Sequence, residues 1–306
     1  YALVIADEIS IWRSDESANP DAEIIAAVRP GMATLDGKLI AVSSPYAKRG
    51  ELWEQYRAHY GKPGPVLFGK APTLTMNPTI KRGFIDDALK RDPAKARAEY
   101  LAEFRSDIAS FVDVEIVQQC TRDGPLELPR AEFSYKAFVD PAGGGQDEFT
   151  LCIGHAEGRR RDGSRVVVDA VHGRLGSPAE IVREYSEILS AYGIRKVTGD
   201  RYAGRWPRDE FQRWGVQYDV ATQDRSALYI ELLAALNSGR VELPPDQKTA
   251  RQLQGLERRT GRSGRDIIDH PPGSHDDLAN ANAGAVAIID QSSYRRVPAI
   301  TGISLF

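Results

Sequence analysis

The chain has 306 residues, 42% hydrophobic and 27% charged, which excludes a disordered or fibrous protein and suggests about two domains. With 40 basic and 43 acidic residues its net charge is −3, so a nucleic-acid partner would need a local basic patch rather than a global field. Cys120 and Cys152 lack C-x-x-C spacing, which excludes a disulfide framework and a cysteine zinc site and suits a reducing compartment.

The opening run Tyr1–Ala6 reads as a buried strand of a parallel sheet and ends in Asp7-Glu8. Tyr1 is not an initiator Met, and the pattern predicts an incomplete amino-terminal sheet. A helix is expected over Pro20–Val28, stopped by Pro30-Gly31, and a second apolar strand over Gly37–Ser43. A helix over Glu51–Tyr60, a short strand at Val66–Phe68 and a proline-rich connection at Pro72–Pro78 come next. Two helices, Arg82–Arg91 and Pro93–Phe104, lead to a linker at Arg105–Ser110.

Beyond that linker the expected order changes. Tyr135–Asp140, Phe149–His155 and Arg165–His172 read as three strands, the last two joined by a charged hairpin. Ser177 caps a helix to about Tyr192, with Ile181, Tyr185, Ile188 and Leu189 on its buried stripe. A strand over Arg195–Asp200, a short helix over Trp206–Trp214 and a strand over Val216–Ala221 follow. Helices are expected at Ser226–Asn237 and Asp246–Glu257, and an extended segment at Arg265–Asp269. A last helix runs from His275 to about Ile289, capped by Ser274, with Leu278, Ala281, Ala285 and Ile288 as its buried stripe. The predicted fold class is α/β: a ribonuclease H-like mixed sheet flanked by helices, preceded by a truncated P-loop NTPase α/β domain. The expected domains are residues 1–105 and 106–306. The longest apolar runs are far too short to span a bilayer, and no signal peptide is seen.

An apolar strand ending in Asp-Glu has a specific use in P-loop ATPases, where the Asp serves Mg²⁺ and the Glu the attacking water. The bland alternative is a surface strand end. No G-x-x-x-x-G-K-[ST] phosphate loop occurs in the 306 residues. Ser43-Ser44-Pro45 either senses nucleotide or only turns the chain.

In the second part, carboxylates fall at the ends of separate elements. Asp140 ends the first strand, Asp200 ends the fourth, and Asp276 and Asp277 lie in the first turn of the last helix. Two-metal nucleases need such carboxylates at one end of the sheet, holding two divalent ions about 3.5–4 Å apart. Mg²⁺ and Mn²⁺ prefer oxygen ligands, so Asp is the right residue type. Singly, each Asp also reads as an ordinary strand or helix terminus; their joint order favours the metal reading. His275 either contacts metal or phosphate or packs, and Asp147 and Glu148 sit at the rim. Lys248–Asp266 carries six basic and two acidic residues, a net +4. Arg201, Arg205, Arg258, Arg259, Arg262 and Arg265 are the candidate DNA contacts, and Arg159-Arg160-Arg161 is a further basic tip.

The chain resembles the large terminase subunit of tailed bacteriophages along nearly its whole length. Leu3-Val-Ile-Ala-Asp-Glu8 and Leu39-Ile-Ala-Val-Ser-Ser-Pro45 are similar to that family's Walker B and coupling motifs. Ala98-Glu-Tyr-Leu-Ala-Glu-Phe104 is similar to its link into the nuclease. Phe138-Val-Asp-Pro141, Thr198-Gly-Asp-Arg-Tyr-Ala-Gly204 and His275-Asp-Asp-Leu-Ala-Asn-Ala281 resemble its nuclease motifs. The resemblance implies a metal-dependent endonuclease that cuts double-stranded DNA with little sequence preference during viral genome packaging. It implies Asp7 for Mg²⁺, Glu8 for ATP hydrolysis and Ser43 and Ser44 for coupling. Asp140, Asp200 and Asp277, with Asp276 adjacent, would hold two Mg²⁺ or Mn²⁺ ions; which of the neighbouring pair is the direct ligand stays open. ATP-Mg²⁺ would serve only an intact chain, because the Walker A lysine is missing. Implied partners are DNA, the small terminase subunit, the portal protein and further copies of the chain, in the host cytoplasm at the prohead and without a membrane. The alternatives are a non-catalytic DNA-binding packaging scaffold and another ribonuclease H-like enzyme, a resolvase or transposase.

Overall fold

The computed structural model describes residues 1–12, 14, 20–141, 147–158, 164–200, 205–260 and 266–295, without the side chains of 260 and 292–295. The chain divides into two units. The first comprises Tyr1–Ser110, Glu257–Ile267 and Pro271–Ser274; the second comprises Phe111–Leu256, Ile268–His270 and His275–Phe306.

In the first unit, β1 (Leu3–Asp7) and β2 (Lys38–Val42) pair in parallel, with Asp7 opposite Val42. Between them α1 (Pro20–Met32) carries Pro30 inside its last turn. The expected stop at Pro30 is therefore corrected: a proline that close to the end removes one backbone bond, and the helix closes two residues later. Asp21 is buried and accepts the Glu51 N–H at 2.6 Å, fixing the start of α2 (Glu51–His59). Gly50 is needed there, because it has φ 80° and a Cβ would lie 2.6 Å from the Asp21 carboxylate. Val66–Phe68 forms no strand: Leu67 is 96% exposed, and Phe68 instead packs edge-on to Tyr56 of α2 and to Tyr60 just past its end. One helical turn, α3 (Thr73–Met76), lies within the proline-rich connection, and α4 (Arg82–Arg91) and α5 (Pro93–Leu101) follow. Asp92 caps α5 through the Lys95 N–H, with Pro93 in the first turn. The expected linker contains β3 (Ile108–Ser110).

The second unit begins with α6 (Val114–Cys120), which the sequence reading missed. It continues through β4 (Lys136–Asp140), β5 (Phe149–Glu157), β6 (Arg165–Arg174), α7 (Pro178–Ala191) and β7 (Lys196–Gly199). Then come α8 (Trp206–Arg213), β8 (Gln217–Val220), α9 (Arg225–Asn237), β9 (Val241–Glu242) and α10 (Gln247–Gly255). The chain passes through β10 (Glu257–Thr260) and β11 (Asp266–Asp269) before α11 (Asp277–Arg295). Antiparallel to β3, β10 joins a sheet of order β11-β10-β3.

Among the described residues the main sheet has the order β8-β7-β4-β5-β6-β9. The β4–β5 and β5–β6 pairs are antiparallel, while β7 runs parallel to both β4 and β8. Three antiparallel strands followed by two parallel ones on the outer side of the first is the ribonuclease H-like order. The fold class is thus a mixed α/β sheet flanked by helices. Alternation along β4 divides the core: Phe138 faces the α9 and α11 side, and Ala137 and Val139 face the α7 and α8 side. Ile181, Tyr185 and Leu189 fill the second face as their spacing predicts. The expected single stripe on α11 is too narrow. Ala279, Asn280, Asn282, Ala283, Val286 and Ala287 are buried as well, so this helix is enclosed nearly all round.

Candidate metal centre

β4 and β7 are parallel neighbours, with Val139 opposite Gly199, so both strands end on the same side. The residues just beyond that pair are Asp140 and Asp200. The Asp200 N–H donates to the Val139 carbonyl at 3.3 Å, and the Tyr218 hydroxyl donates to the Asp200 carbonyl at 3.1 Å. One step across the sheet, Asp140 is paired with Thr150 of β5. The Thr150 hydroxyl donates to the Asp277 carbonyl at 2.9 Å, which pins the start of α11 beside the strand ends. Three separated sequence positions thus converge because parallel strands end together and the last helix begins over them.

Asn280, one turn into α11, ties them closer. Its Nδ2 donates to Asp140 Oδ2 at 2.7 Å and to Asp200 Oδ2 at 3.3 Å. The Asp140 carboxyl is pushed up to about 7, chiefly by burial; the Asn280 hydrogen bond opposes this, and the charges of Asp200, Asp277 and Asp276 add to it. The Asp277 carboxyl is pushed up to about 6, again mainly by burial, against the Glu148 N–H that donates to its Oδ2 at 3.0 Å.

Asp276 and Asp277 differ in their partners. The Asp276 side chain is buried and receives the Tyr229 hydroxyl at 2.7 Å and the Arg225 guanidinium at 3.2 Å. Arg225 also donates to Asp269 at 2.7 Å. Asp277 is half-buried and faces Asp147 and His275, which hydrogen-bond each other at 3.1 Å. Ligand atoms of these three lie within 4.8 Å of one another, as do those of Asp269, His270 and Asp276. Glu148 pairs with Lys248 at 2.8 Å, while its other oxygen is buried without a partner.

The side-chain donors of Asp140, Asp200 and Asp277 are oxygens, and burial with neighbouring carboxylates pushes the Asp140 and Asp277 carboxyls up. A hard divalent cation takes such carboxylate oxygens, but among the described residues Asp140, Asp200 and Asp277 do not form a set with ligand atoms all within 4.8 Å: Asp140 and Asp200 meet at Asn280, whereas Asp277 groups with Asp147 and His275.

No family model matches the chain, and no curated protein matches it. Solved structures do. Large terminases and their nuclease domains from phages are among them. The large terminase nuclease from thermophilic phage G20c shares 19% identity over 57% of this chain and 96% of that chain, with a TM-score of 0.47. The HK97 bacteriophage large terminase shares 15% over 94% of this chain and 70% of that chain, with a TM-score of 0.47. The nuclease domain of the Thermus phage P74-26 large terminase shares 16% over 58% and 94%, with a TM-score of 0.44. The G20c nuclease has also been solved with bound magnesium and with bound cobalt.

The other sequence-predicted residues fall as follows. Asp7 ends β1 beside the end of β2 and Glu8 follows it, and both are exposed. Glu8 has φ 54° and ψ 39°, a left-handed conformation that costs strain in a non-glycine residue. Its carboxylate accepts the Ser43 hydroxyl at 3.3 Å. Ser10, which sequence reasoning passed over, joins this group: its N–H donates to Ser43 Oγ at 3.1 Å and its hydroxyl to the Ser44 carbonyl at 2.7 Å. Arg205 is exposed at the start of α8. Arg258 pairs with Asp266, and Arg259 donates at 2.8 Å to Glu257, a fully buried carboxylate also held by Arg49 and Tyr46. Arg201, Arg262, Arg265 and the Arg159–Arg161 tip lie outside the described residues. Asn280, Arg225 and Tyr229 were also missed, and Lys248, read as part of the basic stretch, pairs with Glu148 instead. Helical spacing offered a signal for Asn280, which stands three residues after Asp277 and shares its face.

Proposed function

We propose that the second unit is a divalent-cation-dependent endonuclease acting on double-stranded DNA with little sequence preference. The observation that supports it best is the convergence of Asp140 and Asp200 on one amide, with Asp277 one strand away. Asp140, Asp200 and Asp277 would hold Mg²⁺ or Mn²⁺, and Asp276 would fix the helix start behind them. Bound there, the cations would activate water and stabilise the leaving oxygen of a phosphodiester. The Asp140 carboxyl, pushed up to about 7 chiefly by burial, must be ionised to become a ligand. The Glu148 N–H orients Asp277 through Oδ2. Arg205, exposed beyond β7 near Asp200 in sequence, would contact phosphates, as would Arg201, Arg258, Arg259, Arg262 and Arg265.

The wider setting we infer is viral genome packaging, in the host cytoplasm with a small terminase subunit, a portal protein and further copies of the chain. In the first unit Asp7, Glu8, Ser43 and Ser44 would form the acidic and coupling side of a nucleotide site for ATP-Mg²⁺. Residues 1–105 would be the ATPase-derived part and 106–306 the nuclease.

Supercoiled plasmid incubated with the protein and Mn²⁺ or Mg²⁺ tests the reading. Nicked and linear products are expected, abolished by EDTA and reduced to background in Asp140→Ala and Asp200→Ala. Cutting by both variants at the parent's rate would remove the site assignment. Salt-sensitive DNA binding with no cation-dependent cutting would favour a packaging scaffold instead.

A further inference from the structure

Asn280 carries a feature that the carboxylates alone do not explain. It is 1% exposed, and its Nδ2 lies within hydrogen-bond reach of one oxygen from each of Asp140 and Asp200. Carboxylates only accept, so the amide nitrogen is the atom between them, and its two hydrogens can serve both. Its Oδ1 is buried with no hydrogen-bond partner. Leaving an acceptor unsatisfied costs about 1–3 kcal/mol, so the orientation is held by the pull of the two acids. The backbone helps to aim it: the Asn280 N–H donates to the Asp276 carbonyl at 2.8 Å, in the first turn of α11.

We propose that Asn280 is a positioning residue for the cation, a neutral clamp that holds the Asp140 and Asp200 oxygens at one point. This rests on the nuclease reading of the same site. Without Asn280 the two acceptor oxygens lose the donor they share, and a cation must gather them itself. With it, the oxygens are already gathered, and the ion exchanges a weak neutral donor for its own charge. Residues that orient metal ligands in this way typically contribute about 10–100-fold in affinity.

Asn282 provides a matched comparison. It lies on the same helix, is fully buried, leaves its own Oδ1 without a partner, and donates to the Leu278 carbonyl at 2.8 Å rather than to an acid. Mn²⁺ is titrated by calorimetry into the metal-stripped full chain and into Asn280→Leu, Asn280→Ser and Asn282→Leu. Both Asn280 variants are expected to bind Mn²⁺ about 10–100-fold more weakly, and Asn282→Leu to match the parent. In plasmid cutting, the Mn²⁺ concentration for half-maximal rate should rise by the same factor while the rate at saturating Mn²⁺ is retained. The serine variant keeps a polar group too short to reach both acids, so it decides the matter if the leucine variant does not fold. Parent-like Mn²⁺ affinity in the Asn280 variants would overturn the clamp and leave the nuclease reading standing. A parent that binds no Mn²⁺ would overturn both.

Discussion

Asp276 receives the Tyr229 hydroxyl and the Arg225 guanidinium, whereas one edge of Asp277 is turned toward Asp147 and His275. The two neighbours should therefore fail in different ways. Asp276→Asn leaves Arg225 short of a partner and should cost about 1–3 kcal/mol in urea unfolding. Asp277→Asn should keep the parent's stability within about 1 kcal/mol and lose Mn²⁺-dependent plasmid cutting. Equal unfolding midpoints for the two variants would contradict this division. Protonation gives a second expectation. Asp140 and Asp277 sit at about 7 and about 6 when folded, against an ordinary 3.8. The folded state then binds protons that the unfolded chain has released, so their contribution to stability falls as pH rises from about 4 to about 7. In EDTA the parent should lose more stability than Asp140→Asn between about pH 4 and about pH 7, and added Mn²⁺ should reverse the loss. Parallel profiles for parent and variant would remove the assignment. The carboxylates themselves were legible in the sequence, because strand ends and a helix start are local features. Their sorting was not: Asp276 and Asp277 share a helix turn, and only the distant Tyr229 and Arg225 tell them apart.

α11 lies against β4 so closely that a Cβ on Gly284 would stand 2.3 Å from the Phe138 ring. Phe138 precedes Asp140 by two residues, and Gly284 follows Asn280 by four, so the same contact that packs the core sets the height of the helix over the carboxylates. Gly284→Ala should raise helix propensity yet lower stability by about 1–3 kcal/mol, because the ring is fully buried and cannot yield. Thermal unfolding checks the sign; a stabilised variant would show that the helix can lift from β4. Elements with strong local patterns were readable here. Continuous apolar runs marked β4, β5 and β6, and helical spacing marked α7. The failures have physical causes. Val66–Phe68 is apolar enough for a strand, but it follows Pro63, Gly64 and Pro65 and finds no pairing partner. α6 is only 7 residues long, with two buried side chains, too short to show a period. The burial of α11 was underestimated because the expected stripe held only Leu278, Ala281, Ala285 and Ile288, whereas small residues elsewhere around the helix let β4 and β5 approach.

The two units bury apolar surface very unevenly. In the first, the cluster behind β1 and β2 consists of Ala6, Ile9, Ile25 and Leu52, while Leu3, Ile5, Ile40 and Val42 remain exposed on the strands. In the second, both faces of the main sheet are covered by large continuous clusters. Stability follows the apolar area removed from water, so the first unit should unfold at the lower temperature. A cation held by Asp140, Asp200 and Asp277 binds only the folded second unit. At a hundred times its Kd it should add about 2.7 kcal/mol to that unit. For a unit of this size that is about 2–4 °C per kcal/mol. Scanning calorimetry of the full chain should therefore show two transitions, with Mn²⁺ raising the upper one and leaving the lower unmoved. In Asp140→Ala the upper transition should lose its response to Mn²⁺. A Mn²⁺-dependent shift of the lower transition alone would place the cation on the Asp7 and Glu8 side of the molecule instead.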